Sequence, residues 1–485
     1  MNRRIYVTTS IPYVNAAPHV GFALELVQAD VVARFRRLCG REVRFQTGTD
    51  ENAIKNVQAA ALQGLTTQQL VDRHSQRYRE LLTALNISAD CFIRTTEARH
   101  RQAVQKFWQS LRPGDVYPKT YRGLYCTGCE DFYQESELVD GLCPDHAKPP
   151  VEVAEENYFF RLSAYQRQIE DLLESGRVKV VPSSRLNEVL SFVRRGLQDF
   201  SVSRPSARAD GWGIPVPGDE SQVVYVWVDA LINYISGPGY GEGDGWRGWW
   251  NDDVEKVHVV GKNVWKFHAI YWPALLLSAG LPLPDRIVVH GFITAEGRKI
   301  GKSLGNAVDP FECIKTLGPD PVRYYLLRAI PPFDDGDFSL GRLRELYRND
   351  LANGLGNLVS RVTALCERAD FGRFAIAGSP DAPPPYLAAL EAYQFDRAVA
   401  ALWQIIDDLN RQIETVRPWE LFKPAGLGRL KEHLCCWLGE LHRLAHWLQP
   451  LLPGTSDRIH NLLAGPTIQA GPALFPRLGP EQGME

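Results

Sequence analysis

The sequence has no uninterrupted apolar run long enough to span a membrane. Its most apolar stretch, residues 269–281, is broken by Pro273 and Gly280 and falls well short of the ~18 to 20 residues that a spanning helix needs. No membrane partner is expected. Bulk charge of one sign is also missing: 54 Lys+Arg stand against 57 Asp+Glu, a formal charge of -3, so any nucleic-acid partner must be held by local basic patches. The N-terminal MNRRIYVTTSIPY lacks an apolar stretch of signal length, and the nine cysteines are an odd count in a long chain. Both point to a reducing cytoplasm. No internal repeat is present. What remains is a chain of 485 residues, 45% hydrophobic and 23% charged, with apolar material for about three soluble globular domains.

Residues 4–8 (RIYVT) read as a buried strand running into Pro12-Tyr13-Val14-Asn15. His19-Val20-Gly21-Phe22 then opens an amphipathic helix through Arg37. Residues 42–47 (EVRFQT) read as a second strand, with Gly48-Thr49-Asp50-Glu51 at its carboxyl end, the edge where parallel sheets bind ligands. Thr66 and Gln69 have capping-box spacing at the start of a helix running towards Leu85. Residues 257–260 and 286–290 read as further strands, so an α/β, doubly wound (Rossmann-type) parallel sheet is expected. The Cys-bearing stretch 116–225 reads as an insertion into it. From about Leu346 the pattern is helical. Phe395, Val399, Leu402, Ile406, Leu409, Ile413 and Val416 form one stripe; Leu351, Leu355, Leu358, Val362 and Leu365 form another; Leu430, Leu434, Trp437, Leu441, Leu444 and Leu448 a third. A helix bundle is expected there.

Four clusters can carry chemistry. Cys126-x-x-Cys129 and Cys143-x-x-His146 are two knuckles able to wrap one structural zinc tetrahedrally, with no position left open for catalysis. His19-x-Gly21 at a helix start suits a phosphate: the helix terminus offers N–H groups, Gly21 leaves room and His19 can donate. Lys299, Gly301, Lys302 and Ser303, in the tract GRKIGKS (residues 297–303), can close over a triphosphate and neutralise charge on departing pyrophosphate. Trp227, Ala230, Leu231 and Tyr234 share one helix face by spacing, and with Phe267, His268 and Trp272 they can line a pocket. Asp50 is the natural partner for an ammonium group there.

Together these residues resemble the class I methionyl-tRNA synthetases, over nearly the whole chain. HVGF (His19 to Phe22), preceded by PYVN, is similar to the HIGH signature, KIGKS (Lys299 to Ser303) to KMSKS, and GTDE (Gly48 to Glu51) to the same tract in that family. The resemblance implies a Rossmann catalytic domain over 1–115 and 226–290 and a zinc-bearing connective insertion over 116–225. It further implies a KMSKS-loop and stem-contact region over 291–345 and an all-α anticodon-binding domain over 346–485. It implies ATP, Mg²⁺ and L-methionine as ligands, and tRNA(Met), initiator and elongator, as partner. Asp50 would hold the methionine ammonium, and Ile11, Tyr13, Trp227, Ala230, Leu231, Tyr234, Phe267, His268 and Trp272 its side chain. His19, Lys299 and Lys302 would be catalytic, with Gly21, Gly301 and Ser303 also at the ATP. Asn357, Arg361 and Trp419 would read the anticodon. Little sequence follows the bundle, so a monomer is expected.

The chain departs from the family's pattern in four places. Phe22 stands for the second His of HIGH, Asn52 and Ala53 for the His-Gly after GTDE, Ala16 for the Gly after PYVN, and Gly301 for the first Ser of KMSKS. Loss of a hydrogen bond to a charged group costs about 1.5 to 3 kcal/mol, so Phe22 is expected to slow adenylation by one or two orders of magnitude unless another group compensates. The reaction implied is ATP-dependent ligation of methionine to tRNA through a methionyl-adenylate. The alternatives are a methionine-activating paralogue serving another acceptor, and a catalytically inactive tRNA-binding module.

Overall fold

A run such as IYVT, rich in β-branched and aromatic residues without polar alternation, is stable as a strand only when both faces are covered. The computed structural model, which describes residues 3–126, 131–133, 135, 138–144, 147–295, 298–299, 308–375 and 379–479, covers them. It divides into two units, Met1–Pro18 with Gly40–Leu82 and Ala89–His290, and His19–Cys39 with Thr83–Ser88 and Gly291–Glu485. The first unit is built on a six-stranded sheet of β1 (Arg4–Thr9), β2 (Val43–Thr49), β3 (Cys91–Arg94), β4 (Lys179–Val181), β5 (Val254–Gly261) and β6 (Arg286–His290). Its order is β3-β2-β1-β5-β6-β4, every neighbouring pair parallel. Ile5, Tyr6 and Val7 are wholly buried, as are Val259 and Val260 on β5 and Ile287 and Val289 on β6.

Strand β4 was not legible as part of this sheet. Three residues (KVV) within the stretch read as an insertion carry too little periodicity to declare a partner, and only pairing with β6 reveals them as its edge. The rest of that stretch makes a four-stranded antiparallel sheet around Val116–Cys126 and Val151–Phe160 and a three-stranded one around Asp219–Val224. The capping box forms as spaced: the Gln69 N–H donates to the Thr66 hydroxyl at 3.2 Å, and the Thr66 N–H to Gln69 Oε1 at 3.0 Å.

In the second unit α1 (Val20–Leu38) stands with α3 (Pro319–Arg328), α4 (Asn357–Arg368), α5 (Phe395–Val416), α6 (Leu427–Leu448) and α7 (Pro453–Leu463); α2 (Val226–Leu231) belongs to the first unit. From Leu340 to Leu463 every described element is helical. The stripes on α5 and α6 are buried as their spacing predicts, except that Val416 is only half-buried. The Leu351 stripe is less regular, because Tyr347–Gly356 is a π-helix that passes directly into α4. Gly354 and Gly356 lie in that segment and weaken its α preference.

One buried ion pair ties this unit together. Asp30 on α1 and Arg323 on α3 are both fully buried and meet at 2.8 Å. Asp30 also takes Arg34 at 2.8 Å and the Ser88 N–H and hydroxyl at 2.7 and 2.6 Å. Arg323 donates onward to the carbonyls of Leu451, Pro450 and Leu85 at 2.8, 3.0 and 3.2 Å. Burial by itself raises the Asp30 pKa, but Arg323, Arg34 and Ser88 outweigh it and hold the carboxyl below the ordinary carboxylate range.

Asp30→Asn is therefore expected to destabilise the unit by about 3 to 5 kcal/mol in denaturant unfolding, because it leaves Arg323 as an uncompensated buried charge. A carboxyl whose folded pKa is depressed stabilises fully above its unfolded pKa of about 3.9, and the contribution disappears as pH falls through the lower folded value. Wild type is expected to lose stability in that acid window, and Asp30→Asn to lose measurably less there.

Candidate active site

Ligands of open parallel sheets bind beyond the strands' carboxyl ends, where the strand order reverses. Here the chain passes from β1 outward to β2 and β3 and then returns on the other side of β1 as β5 and β6, which puts the reversal between β1 and β5. β1 leads into Ile11, Pro12 and Tyr13. The Pro12 carbonyl accepts the Asp50 N–H at 2.9 Å, and Tyr13 and Asp50 form a parallel bridge, so the loop after β1 lies beside the residue that follows β2. The neighbouring strand imposes Gly48, since a Cβ there would fall 2.1 Å from the Ile93 carbonyl oxygen. Ile93 in turn packs with Ile11 and Ala230 in a small apolar cluster.

The two carboxylates after β2 differ in environment. Glu51, wholly buried, receives Arg94 at 2.7 and 3.0 Å, the Thr49 hydroxyl at 2.8 Å and the Thr96 hydroxyl. Its N–H donates to Thr95 at 2.8 Å, and its carbonyl accepts Trp212 Nε1 at 2.8 Å and Asn56 Nδ2 at 2.9 Å. A buried charge is tolerable only when matched in this way, so Glu51 is a structural anchor that stiffens the loop. Asp50 is 1% exposed at the strand end, its carbonyl held by Asn56 Nδ2 at 3.2 Å.

The aromatic set gathers in the same unit. Sequence spacing predicts one helix for residues 227–234; the structure has two short ones, α2 and Asn233–Ser236, joined at Ile232. Trp227, half-buried, stacks on Phe267 with centroids 4.2 Å and planes 10° apart and lies 5.8 Å from Tyr13. Phe267 and His268 belong to a π-helix, Phe267–Tyr271, a wide turn common at functional sites. Leu231, Tyr234, Phe267 and Trp272 are members of one hydrophobic core. Within it the Tyr234 hydroxyl meets His268 Nε2 at 2.7 Å and the Thr9 carbonyl at 3.3 Å, while His268 Nδ1 meets the Val264 carbonyl at 2.8 Å. A carbonyl only accepts, so Nδ1 carries a proton, and in the neutral ring Nε2 accepts from Tyr234. Beneath Tyr234, at 4.1 Å, lies His258, whose pKa burial pushes well down, aided by His268 and Lys256.

The phosphate-type elements belong to the second unit. His19 is the N-cap of α1, its Nδ1 accepting the Gly21 N–H at 3.0 Å, which in the neutral ring leaves Nε2 as the protonated nitrogen. The same ring explains Gly21, because a Cβ there would lie 2.7 Å from His19 Cε1. Phe22 is buried in α1. The Lys299 backbone pairs with Thr294 in a small sheet. Gly301, Lys302 and Ser303 lie outside the described residues, as do Cys129 and His146 of the zinc spacing. Cys126 ends the strand Val116–Cys126; the Cys143 carbonyl accepts the Ala147 N–H at 2.8 Å, and both cysteines are buried. Among the described residues no group of three or more His, Cys, Asp or Glu could hold a metal. Asn357 begins α4, exposed; Arg361, one turn on, pairs with Glu414 of α5 at 2.8 Å; Trp419 follows α5 at 45% exposure. Sequence reasoning missed the Glu51–Arg94 anchor, His258, and a buried line through Asn52, Asp229, His100 and Ser236. Partners so distant along the chain leave no spacing signal.

The chain matches the family model of the class I (M) tRNA synthetases over residues 5–151 and 146–363. It is 40% identical to the methionine–tRNA ligase of Brucella melitensis, covering 96% of this chain and 92% of that protein. The corresponding figures for the Mycobacterium bovis ligase are 40%, 99% and 99%. For that of Thermotoga maritima they are 39%, 94% and 74%. Among solved structures it resembles Mycobacterium tuberculosis methionyl-tRNA synthetase in complex with methionyl-adenylate, with a TM-score of 0.90 and 38% identity over 98% of this chain and all of that one. The apo form of the same protein gives 0.82 and 35% over 99% of each chain.

The cap gives the local test. His19→Ala is expected to cost about 1 kcal/mol in thermal unfolding. His19→Asn, whose amide oxygen can replace Nδ1, is expected to remain within a few tenths of wild type. Equal melting of all three proteins would remove the ring from the cap.

Proposed function

The chain belongs to the class I (M) tRNA synthetases, and from that premise we propose that it joins L-methionine to tRNA(Met) at the expense of ATP. The observation that carries this reading is the cluster at the strand reversal: a buried aspartate at the end of β2 beside an apolar, aromatic set with one internally bonded Tyr–His pair. Asp50 takes the ammonium of the amino acid. Ile11, Tyr13, Trp227, Ala230, Leu231, Tyr234, Phe267, His268 and Trp272 receive a flexible, polarizable thioether chain.

A methionine carboxylate oxygen attacks the α-phosphorus of ATP, the bond to the bridging oxygen breaks, and pyrophosphate leaves with the Mg²⁺ that accompanies ATP. His19 Nε2, Lys299 and Lys302 stabilise the charge that develops, Gly21 keeps the approach to the helix terminus clear, and Gly301 and Ser303 complete the phosphate loop. No protein nucleophile is required. The 2′ hydroxyl of the terminal ribose then attacks the adenylate carbonyl and AMP departs. Asn357, Arg361 and Trp419 read the anticodon of initiator and elongator tRNA: two polar groups one helical turn apart, and an exposed indole that can stack a base.

The same reading assigns 1–115 with 226–290 to catalysis, 116–225 to a zinc-bearing insertion, 291–345 to the phosphate loop and stem contact, and 346–485 to an all-α anticodon domain. Two buried cysteines, Cys126 at a strand end and Cys143, are the soft donors a structural zinc needs, and Cys129 and His146 would complete the set. A zinc held there would stabilise the fold of the insertion and take no part in the reaction. No described helix is long and apolar enough to cross a membrane.

ATP–pyrophosphate exchange against all twenty amino acids is expected to proceed with methionine alone, followed by charging of tRNA(Met) that fails when the anticodon is altered. Exchange driven by another amino acid, or none at all, overturns the proposal. Lys302→Ala is expected to lower kcat for exchange by about 100-fold or more with KM for methionine little changed; an equal change in both would reduce Lys302 to mere binding.

Elemental analysis is expected to find one zinc per chain, and Cys126→Ser or chelation to lower the unfolding midpoint. Metal-free protein with an unchanged midpoint would refute the zinc assignment.

A further inference from the structure

Asn52 has no part in the reading above, yet it joins the two elements on which that reading rests. Its amide donates to Asp229 Oδ2 at 2.7 Å and to the Thr95 carbonyl at 3.2 Å. Asp229 lies on α2 between Trp227 and Ala230 and is wholly buried. Its other oxygen meets His100 Nε2 at 2.6 Å, and His100 Nδ1 meets the Ser236 hydroxyl at 2.7 Å. His100 and Ser236 are also fully buried, and Ser236 closes the short helix that carries Tyr234. One unbroken polar line thus runs from the second residue after Asp50, through the helix of Trp227 and Ala230, to the helix of Tyr234.

We propose that Asn52 is a positioning residue for amino-acid recognition: by pinning Asp229 it fixes the distance between Asp50 and the face that carries Trp227 and Ala230. The inference rests on the methionine-site reading above. A free amino acid offers few atoms, so its ammonium and its side chain are both bound well only if the two partners are held at one separation. A misplacement near 1 Å can cost about 100-fold. The amide also suits the task chemically. It gives one N–H to the Asp229 carboxylate and one to the Thr95 carbonyl, and it does not titrate, so the tie survives pH changes that would charge or discharge an imidazole at this place. Asn52 is only half-buried, and α2 is held independently by the core around Val226, Val228 and Leu231, so losing the tie moves the pocket without unfolding it.

The test is steady-state exchange with Asn52→Ala, Asn52→Asp and the exchange pair Asn52→Asp/Asp229→Asn. Asn52→Asp sets a second carboxylate against Asp229. In the exchange pair the new amide at position 229 can donate to the new carboxylate at position 52 and accept from His100, so the bonds of residue 229 to position 52 and to His100 are rebuilt, while the weaker bond to the Thr95 carbonyl is given up. KM for methionine is expected to rise about 10- to 100-fold in both single variants, with KM for ATP within twofold of wild type, and to return to within about threefold in the pair. KM for methionine within twofold of wild type in both singles overturns the inference. So does a parallel rise for both substrates with a lowered melting temperature, or a pair no better than Asn52→Asp alone. Wild-type protein without methionine-dependent exchange would instead sink the site reading and the inference with it.

Discussion

Much of the second unit hangs on the contact between Asp30 and Arg323. Two charges withdrawn wholly from water form a poor source of net stability, because desolvation offsets most of their attraction; what they supply is geometry, since neither can be moved without exposing the other. Here that geometry reaches four segments: α1 through Asp30, the turn at 85–88 through Leu85 and Ser88, α3 through Arg323, and the link between α6 and α7 through Pro450 and Leu451. His19 caps the same α1 eleven residues upstream, about 16 Å along the axis at 1.5 Å per residue. A helix held rigidly at its third turn presents its N-terminal N–H groups and the capping ring in one orientation. A phosphate-binding terminus needs this, because donors that must reorganise on binding lose much of their electrostatic advantage.

The first unit reaches the same end through the sheet. Reversal of strand order next to β1 sets the ends of β1, β2 and β5 side by side, and the residues there are fixed by backbone and side-chain contacts alike: Asp50 N–H to Pro12, Gly48 against Ile93, Glu51 locked at every polar atom. Adjacent carboxylates have been given opposite tasks by their surroundings. Glu51 is matched by Arg94 and hydroxyls and so holds the loop. Asp50, one residue away on the alternate side of the extended backbone, stands beside Tyr13 where a cation of the substrate is proposed to bind.

What the sequence made legible followed from local rules. The strands at 4–8 and 286–290, the Thr66–Gln69 box and the stripes on α5 and α6 each depend on a period or a fixed offset, and each is in the structure, the first strand running one residue further to Thr9. Spacing marked Trp227, Ala230, Leu231 and Tyr234 as one face, the resemblance added Ile11 and Tyr13, and the fold brings them into one unit. Elements whose definition is a distant partner stayed hidden. The edge strand Lys179–Val181 is defined by its pairing with β6, and the π-helices Phe267–Tyr271 and Tyr347–Gly356 have no spacing that separates them from α-helix. The line from Asn52 to Ser236 joins a loop residue to three separate helices, and a lone His100 within ARHRQ has nothing to announce it.

On the proposed site, the hydrogen bonds around Tyr234 bear on how a thioether is distinguished from polar side chains of similar length. His268 commits its Nδ1 proton to Val264, and the Tyr234 hydroxyl oxygen lies 2.7 Å from Nε2 against 3.3 Å from the Thr9 carbonyl. Both polar groups therefore satisfy one another before any ligand arrives, and what they add to the surrounding rings of Trp227, Phe267 and Trp272 is lone pairs and ring edges. A thioether needs no more, because sulfur is a weak acceptor and binds chiefly by dispersion. A carboxamide brought to the same place loses its hydrogen bonds to water without replacements, at about 1 to 3 kcal/mol for each unsatisfied group. One such group already gives roughly 5- to 150-fold discrimination, and two give the product. Selectivity of this kind needs no repulsive residue, only polar groups already content with each other, and it fails as soon as the Tyr–His pair is broken and one of its protons becomes available.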